Sequence, residues 1–292
     1  MLVFIIVTYN GSRFIEKCLD SISKCDVEHK VIVVDNSSTD NTVEIISNQF
    51  PEVDLIVSKE NLGFGKANNI GIKKALKHGA DFIFLLNQDA YLLGGSIKEV
   101  LGMISDDVGI ISPIHFAGTG DELDYGFAQY ILPKKAPRLL SDILRGQVKG
   151  VYPCYFVNAA AWIIKREIFE KLGMFHPVFD HYGEDDEFVI RLRKNNYKLC
   201  IAPALSIIHD RPQTQESNKY YAPHLYLSRN TIVSYFKNNG YSTLGHIKIF
   251  YYYMMQEMLM FKFKNVYYLF IYLFKSLKTL RKLDRSSKNN QF

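Results

Sequence analysis

Three groups of side chains in this sequence have the types and spacing that chemistry needs. Asp89 follows five consecutive apolar residues, Phe82 to Leu86, directly after Asn87-Gln88. A short apolar run that stops at polar residues reads as a strand buried on both faces, and its polar end then lies at the edge of the sheet where open α/β folds bind ligands. An acid there can hold a cation that in turn holds phosphates, or it can cap the next helix. The second group is Asp180, Glu184, Asp185, Asp186 and Glu187, five carboxylates within eight residues, just ahead of a helical pattern over Phe188–Lys194. Crowding of this kind raises carboxyl pKa values towards those of a useful base. Acids at a helix start are equally favoured by its dipole, at about 0.3–1 kcal/mol each. The third is His209-Asp210-Arg211, closing the apolar run Ser206–Ile208. A lone histidine serves as a structural hydrogen-bonding residue or as a ligand, and His209 and Arg211 can both face a diphosphate.

The elements that must position these groups follow from periodicity. Leu2–Val7 is an apolar, β-branched run broken by Thr8-Tyr9-Asn10-Gly11-Ser12, and a helical pattern (Phe14, Ile15, Cys18, Leu19, Ile22) follows it. Val31–Val34 ends at Asp35, Asp54–Ser58 leads into Asn61-Leu62-Gly63-Phe64-Gly65-Lys66, and a helix is expected over Ala67–Lys77 before the strand that ends at Asp89. Strand and helix alternate four times with short links, which predicts an α/β fold with a doubly wound, mostly parallel central sheet flanked by helices. The four polar strand ends, Thr8–Asn10, Asp35–Asn36, Asn61–Lys66 and Asn87–Asp89, then converge on one edge as a nucleotide site. Its candidate binding residues are Thr8, Asn10, Asp35, Asn61, Gly63, Lys66, Asn87 and Gln88. Neither the G-x-G-x-x-G fingerprint nor a P-loop is present, so a NAD or FAD protein is not expected.

Further on, the spacing predicts a helix over Ser96–Ile104, a strand at Val108–Pro113 and a long irregular segment over 115–150, read as a lid or acceptor-side loop. A strand at Tyr152–Ile164, a helix at Lys165–Leu172 closed by Gly173, and strands at Tyr197–Ile201 and Ser206–Ile208 complete the pattern.

The chain of 292 residues is 48% hydrophobic, enough for one large domain or a domain with an extension. Four cysteines without a CxxC pair suit reduced thiols and no structural zinc. No basic segment precedes Leu2–Val7 and no cleavage-site pattern follows it, so no secretory leader is expected. The net charge of +5 sits at one end. From Tyr241 onward nine Lys and Arg stand against two acids, leaving the first 240 residues slightly acidic. That argues against a nucleic-acid-binding body and for a tail that meets something anionic.

The order VTYN (7–10), VVDNSSTDNT (33–42), NLGFGKANNIGI (61–72) and LLNQDA (85–90) resembles a family 2 glycosyltransferase of the GT-A fold, in its rhamnosyltransferase-like branch. The likeness runs from residue 3 to about 230. It implies that Asp35 contacts the pyrimidine, that Thr8 and Asn10 line the nucleotide site, and that Asp89 binds a divalent metal, Mn²⁺ or Mg²⁺, with His209 completing the site. Many such enzymes carry Asp-x-Asp where this chain has Asn87-Gln88-Asp89; the Asn form is familiar in that branch. YGEDDEF (182–188) resembles the family's Glu-Asp segment, which makes Asp185 the catalytic base, and Arg229-Asn230 matches an Arg-Asn pair, with Arg229 near the leaving group.

The resemblance implies an inverting transferase that moves a sugar, rhamnose from dTDP-rhamnose first, to a saccharide or lipid-linked oligosaccharide acceptor in surface polysaccharide biosynthesis. Two other readings remain. One is a UDP-sugar donor, galactose or a hexosamine, because uracil and thymine present the same N3–H. The other is a non-catalytic nucleotide-binding member of an assembly complex.

The expected domains are 1–235, the GT-A domain, and 236–292, a helical C-terminal extension rich in Tyr and Phe beside Lys and Arg. No stretch reaches the roughly 20 apolar residues of a spanning helix. The extension reads as an interfacial helix on an anionic leaflet, placing the protein in the cytoplasm on the inner face of the membrane. Alternatively it packs on the catalytic domain or on a second subunit.

Overall fold

The computed structural model describes residues 1–179, 182–211, 223–238 and 242–288. Asp180 and His181 of the acidic cluster lie outside the described residues. The chain forms two compact units, Met1–His181 with Arg191–Gln213, and Tyr182–Ile190 with Thr214–Phe292.

In the first unit β1 (Leu2–Thr8), α1 (Ile15–Ile22), β2 (His29–Asp35), α2 (Thr42–Gln49), β3 (Asp54–Val57), α3 (Phe64–Lys77) and β4 (Phe82–Asn87) alternate as expected. Strands β3, β2, β1 and β4 lie side by side and parallel, with Thr8 level with Asp35 and Val7 level with Asn87. Phe4 and Phe84 stack at 5.0 Å on one face of this sheet, above the buried stripe Ile15, Cys18, Leu19 and Ile22 of α1, whose i, i+3, i+4, i+7 spacing makes a single apolar face. On the other face α3 approaches closely at Gly71, where a Cβ would stand 2.6 Å from Ile5 Cγ2.

Beyond β4 the unit continues as β5 (Ala90–Gly95), α4 (Ile97–Gly102), β6 (Val108–Phe116), α5 (Tyr125–Tyr130), α6 (Leu139–Leu144), β7 (Tyr152–Pro153), β8 (Ala161–Lys165), α7 (Arg166–Leu172) and, after the start of α8 (Glu184–Lys194), β9 (Lys198–His209). The sheet runs β3-β2-β1-β4-β8-β6-β9-β5, with β7 also paired to β9. Four of its ladders are antiparallel, β4 with β8, β6 with β8, β5 with β9 and β7 with β9, so the sheet is mixed beyond its parallel half.

Several expected boundaries move. Tyr152–Ile164 is two strands, because Tyr152 pairs with Ile201 while Ala161–Lys165 crosses to β4 and β6. Tyr197–Ile201 and Ser206–Ile208 are one strand, and the break in periodicity is a register shift opposite Pro113 and Ile114. The segment 115–150 holds the end of β6 and two short helices, and Asp124 caps the first by accepting the Phe127 N–H. Strand β5 lies between Asp89 and Ser96, where the sequence pattern predicts none. Helix α8 begins at Glu184 rather than Phe188, so Glu184, Asp185, Asp186 and Glu187 form its first turn.

The second unit holds that turn with α9 (Pro223–Asn238), α10 (Thr243–Leu259) and α11 (Phe263–Lys288). Leu227, Phe250, Leu269 and Leu273 form its apolar centre. Beside it the buried His246 ring joins all three helices, with Nδ1 2.9 Å from Thr231 Oγ1 and Nε2 2.8 Å from Ser276 Oγ. No helix among the described residues is long and apolar enough to cross a membrane.

Candidate active site

The carboxyl ends of the parallel strands are tied into one polar edge. Asn36 N–H donates to the Thr8 carbonyl at 2.7 Å, continuing the β1–β2 ladder into the loops. Asn10, with a left-handed φ of 47°, donates its N–H to Ser38 Oγ and accepts from the Thr39 N–H with its side chain. Gln88 reaches back to β1, its Oε1 accepting from Thr8 Oγ1 at 2.6 Å and from the Tyr9 N–H at 3.0 Å. Position 11 is glycine because a Cβ would stand 2.2 Å from that same Gln88 oxygen. On the β2 side Asn36 donates to Asn61 Oδ1 and accepts from the Leu62 N–H, while Asn61 also accepts from the Gly63 N–H. Gly63, at φ 77°, starts α3 and places Lys66 in its first turn.

Asp35 lies at the centre of this edge with 0% exposure. Its Oδ2 accepts the Ser38 N–H at 3.0 Å, and its Oδ1 has no hydrogen-bond partner among the described residues. A buried carboxylate oxygen without a partner is costly, and such a group commonly marks a site that a ligand completes. Nearby, hydrogen bonds from Thr42 and Ser12 overcome the effect of burial and hold Asp40 down to about 2.

Asp89 and His209 are brought together by an antiparallel ladder that the sequence did not disclose. Residues Ala90 and His209 are paired across β5 and β9, and the Asp210 N–H donates to the Asp89 carbonyl. His209 Nε2 stands 3.6 Å from Asp89 Oδ1, and its Nδ1 stands 3.7 Å from Asp124 Oδ2. The ring is 2% exposed, and Nδ1 has no hydrogen-bond partner among the described residues. Burial lowers the His209 pKa against the pull of Asp89, which keeps the imidazole neutral. A neutral imidazole nitrogen and a carboxylate oxygen facing each other beyond hydrogen-bond range are the donor types that Mn²⁺ or Mg²⁺ accepts, so the pair fits such a cation. No group of three His, Cys, Asp or Glu side chains converges as a metal site among the described residues. Arg211 grips Asp124, with Nε and Nη2 each 2.8 Å from a carboxylate oxygen. Asp124 carries one signal in the sequence, an Asp at a helix N-cap.

The acidic turn belongs to the second unit. Glu184 is buried, and its Oε2 has no hydrogen-bond partner among the described residues. Burial, with repulsion from Asp185, pushes its carboxyl up to about 7. Asp185 Oδ1 accepts the Asp186 N–H at 2.9 Å. Burial, then the Asp186 charge, raises Asp185 to about 6 against the pull of Arg229. Arg229 forms an ion pair with Asp186. Asp185 and Arg229 thus share this unit, whereas Thr8, Asn10, Asp35, Asn61, Gly63, Lys66, Asn87, Gln88, Asp89 and His209 share the other.

The sequence model of the family described as Glycosyl transferase family 2 matches residues 3–173, more than half of the chain. The chain belongs to family 2 of the glycosyltransferases. Among relatives of this family 2 chain, the poly(ribitol-phosphate) β-N-acetylglucosaminyltransferase TarS of Staphylococcus aureus is 28% identical over 141 residues, 46% of this chain and 24% of TarS. This chain therefore spans less than two thirds of that relative. The N-acetylglucosaminyl-diphospho-decaprenol L-rhamnosyltransferase of Mycobacterium tuberculosis is 22% identical over 245 residues, 72% of this chain and 76% of the relative. The crystal structure of S. aureus TarS 1–349 superposes with a TM-score of 0.57 at 20% identity, covering 80% of this chain and 64% of that one. GalNAc-T7, solved with UDP, GalNAc and Mn²⁺, superposes at 0.57 with 17% identity, covering 79% of this chain and 50% of that one. These likenesses establish the GT-A fold.

Proposed function

We propose that this family 2 chain is an inverting glycosyltransferase that moves rhamnose from dTDP-rhamnose to a saccharide or lipid-linked oligosaccharide of a surface polysaccharide. The observation that carries the reading is the facing pair Asp89 and His209 on the same strand edge as the unpartnered Asp35 Oδ1. The M. tuberculosis relative, a rhamnosyltransferase matched over 72% of this chain, supports the sugar and the lipid-linked acceptor. A second reading, a UDP-N-acetylhexosamine donor, is favoured by TarS, a β-N-acetylglucosaminyltransferase.

In this reaction the acceptor hydroxyl oxygen attacks the anomeric carbon, the carbon–oxygen bond to the diphosphate breaks, and the configuration inverts. Asp185 takes the hydroxyl proton; raised to about 6, it is ionised at neutral pH yet basic enough to accept it. Asp35 Oδ1 accepts the pyrimidine N3–H. Asp89 and His209 would hold the Mn²⁺ or Mg²⁺, which stabilises charge on the departing diphosphate when bound. Arg229, paired to Asp186, stands beside the base and favours its ionised form.

Thermal stabilisation by UDP, dTDP, GDP and CDP, each with and without Mn²⁺, tests the donor site. A ligand at 100 times its Kd adds about 2.7 kcal/mol. Stabilisation by dTDP that requires Mn²⁺ and vanishes in Asp89→Ala supports the first reading; a UDP preference moves the donor to a UDP-sugar. No response to any nucleotide sinks both.

A further inference from the structure

We infer that the turn at the end of α6, residues 143–149, docks the first unit on an anionic lipid bilayer. The inference concerns this surface alone and is independent of the donor and of the C-terminal helices.

Helix α6 presents its side chains in the reverse of the usual order. A surface helix ordinarily buries its apolar residues and turns its charges to water. Here the acid Asp142 is 4% exposed, whereas Leu144 is 86% exposed and Ile143 and Val148 are exposed beside it. Hydrogen bonds brace this arrangement. Asp142 Oδ2 accepts the Tyr152 hydroxyl at 3.1 Å, and the same hydroxyl accepts the Lys149 N–H at 2.9 Å, so one buried pair ties both ends of the turn. Tyr152 is itself fixed in β7 beside β9. The Gln147 N–H donates to the Asp142 carbonyl at 2.8 Å and the Gly146 N–H to the Ile143 carbonyl at 3.0 Å. This is a Schellman closure with Gly146 at a left-handed φ of 62°. The aliphatic tip is thus held outward on a closed framework.

Charge says what covers the tip. Residues 132–149 hold Lys134, Lys135, Arg138, Arg145 and Lys149 against Asp142 alone, within a first 240 residues that are slightly acidic overall. Lys134, Arg138, Arg145 and Lys149 are exposed, and the one acid is buried. Among the described residues Arg138, 3.6 Å from Asp142, is the only one of the five in an ion pair. Aliphatic side chains rimmed by cations suit an anionic bilayer: the apolar groups enter the acyl boundary while Lys and Arg stay level with the headgroups. A soluble polyanion would use the charges and leave Ile143, Leu144 and Val148 in water.

The test places a reporter on the turn of the full chain. Leu144→Cys carries the environment-sensitive fluorophore NBD, with Cys25→Ser as background because the other three cysteines are buried. With vesicles of phosphatidylglycerol and phosphatidylcholine its emission is expected to shift to the blue and to be quenched by lipids bearing a nitroxide on the acyl chain. With phosphatidylcholine alone neither is expected. Arg145→Gln with Lys149→Gln is expected to weaken partitioning onto the anionic vesicles about 10–30-fold, since each cation near the surface counts for about fivefold. A reporter at 144 that stays in water while one at Phe261→Cys enters the bilayer ends the inference and leaves the tail's contact standing. Water at both positions overturns it as well. Binding to dextran sulfate that Arg145→Gln with Lys149→Gln abolishes, with no shift on vesicles, assigns the turn to a soluble polyanion and overturns the bilayer. Were the labelled protein not to fold, co-sedimentation of unlabelled Ile143→Ser with Leu144→Ser would decide: partitioning weakened about 10-fold supports the inference, and wild-type partitioning ends it.

Discussion

At the scale of single residues, two neighbouring acids in one helical turn differ in consequence. Glu184 is raised to about 7 from an ordinary value of 4.5, so its contribution to stability is present below 4.5 and lost as pH rises through 7. Glu184→Gln removes that loss. Its melting temperature is expected to exceed that of the wild type at pH 8, the gap closing near pH 4.5, as thermal unfolding across a pH series would show. For Asp185 the proposed proton transfer predicts that kcat/KM rises with pH through about 6. Asp185→Asn should lower kcat about 10²–10⁴-fold with the donor KM little changed, and steady-state kinetics would detect a variant that keeps full turnover. The residue types at 35, 89, 185 and 209 were legible in the sequence because each closes an apolar run or opens a helix. Asp124 was not, because its partners Arg211 and His209 stand more than 80 positions away in the chain and only the fold makes them neighbours.

At the scale of elements, the parallel half of the sheet was legible because each of its strands is a short apolar run punctuated by polar residues. The antiparallel half was not. Ala90–Gly95 is half exposed and ends in two glycines, so it lacks a strand pattern, and its pairing with β9 is what sets Asp89 against His209. The helices of the second unit hang on a buried polar join. The neutral His246 ring donates to one of these hydroxyls, Thr231 or Ser276, and accepts from the other. The hydroxyl that accepts from the ring donates to a carbonyl of its own helix, Leu227 for Thr231 or Tyr272 for Ser276. His246→Leu would strip both hydroxyls of a buried partner, and is expected to cost about 1–3 kcal/mol, read as a lower denaturant midpoint. Burial holds the His246 pKa down to about 4 from 6.5, so its contribution to stability is expected to fade as pH drops from 6.5 through 4.

At the scale of the whole molecule, the catalytic reading and the tail make separate demands. Leu259, Met260, Phe261 and Phe263 cluster at the turn between α10 and α11, with Leu259 76% and Phe261 81% exposed, and Lys262 and Lys264 stand among them. An apolar tip flanked by lysines fits an anionic bilayer surface, the proposed seat of a lipid-linked acceptor. Phe261→Ser with Phe263→Ser is expected to abolish co-sedimentation with phosphatidylglycerol vesicles while leaving the melting temperature unchanged; binding that persists would remove the tip from the account. The sequence by itself determined the alternating α/β core, the polar strand ends, the acidic turn and the basic aromatic tail, because these are local patterns of hydrophobicity and charge. Only the tertiary structure decided that Gln88 meets Thr8 and Arg211 meets Asp124, and by which ladder Asp89 meets His209, a pair the family resemblance already implies. Those meetings depend on strand order and register, which arise from packing many residues at once and leave no mark on any short stretch of chain.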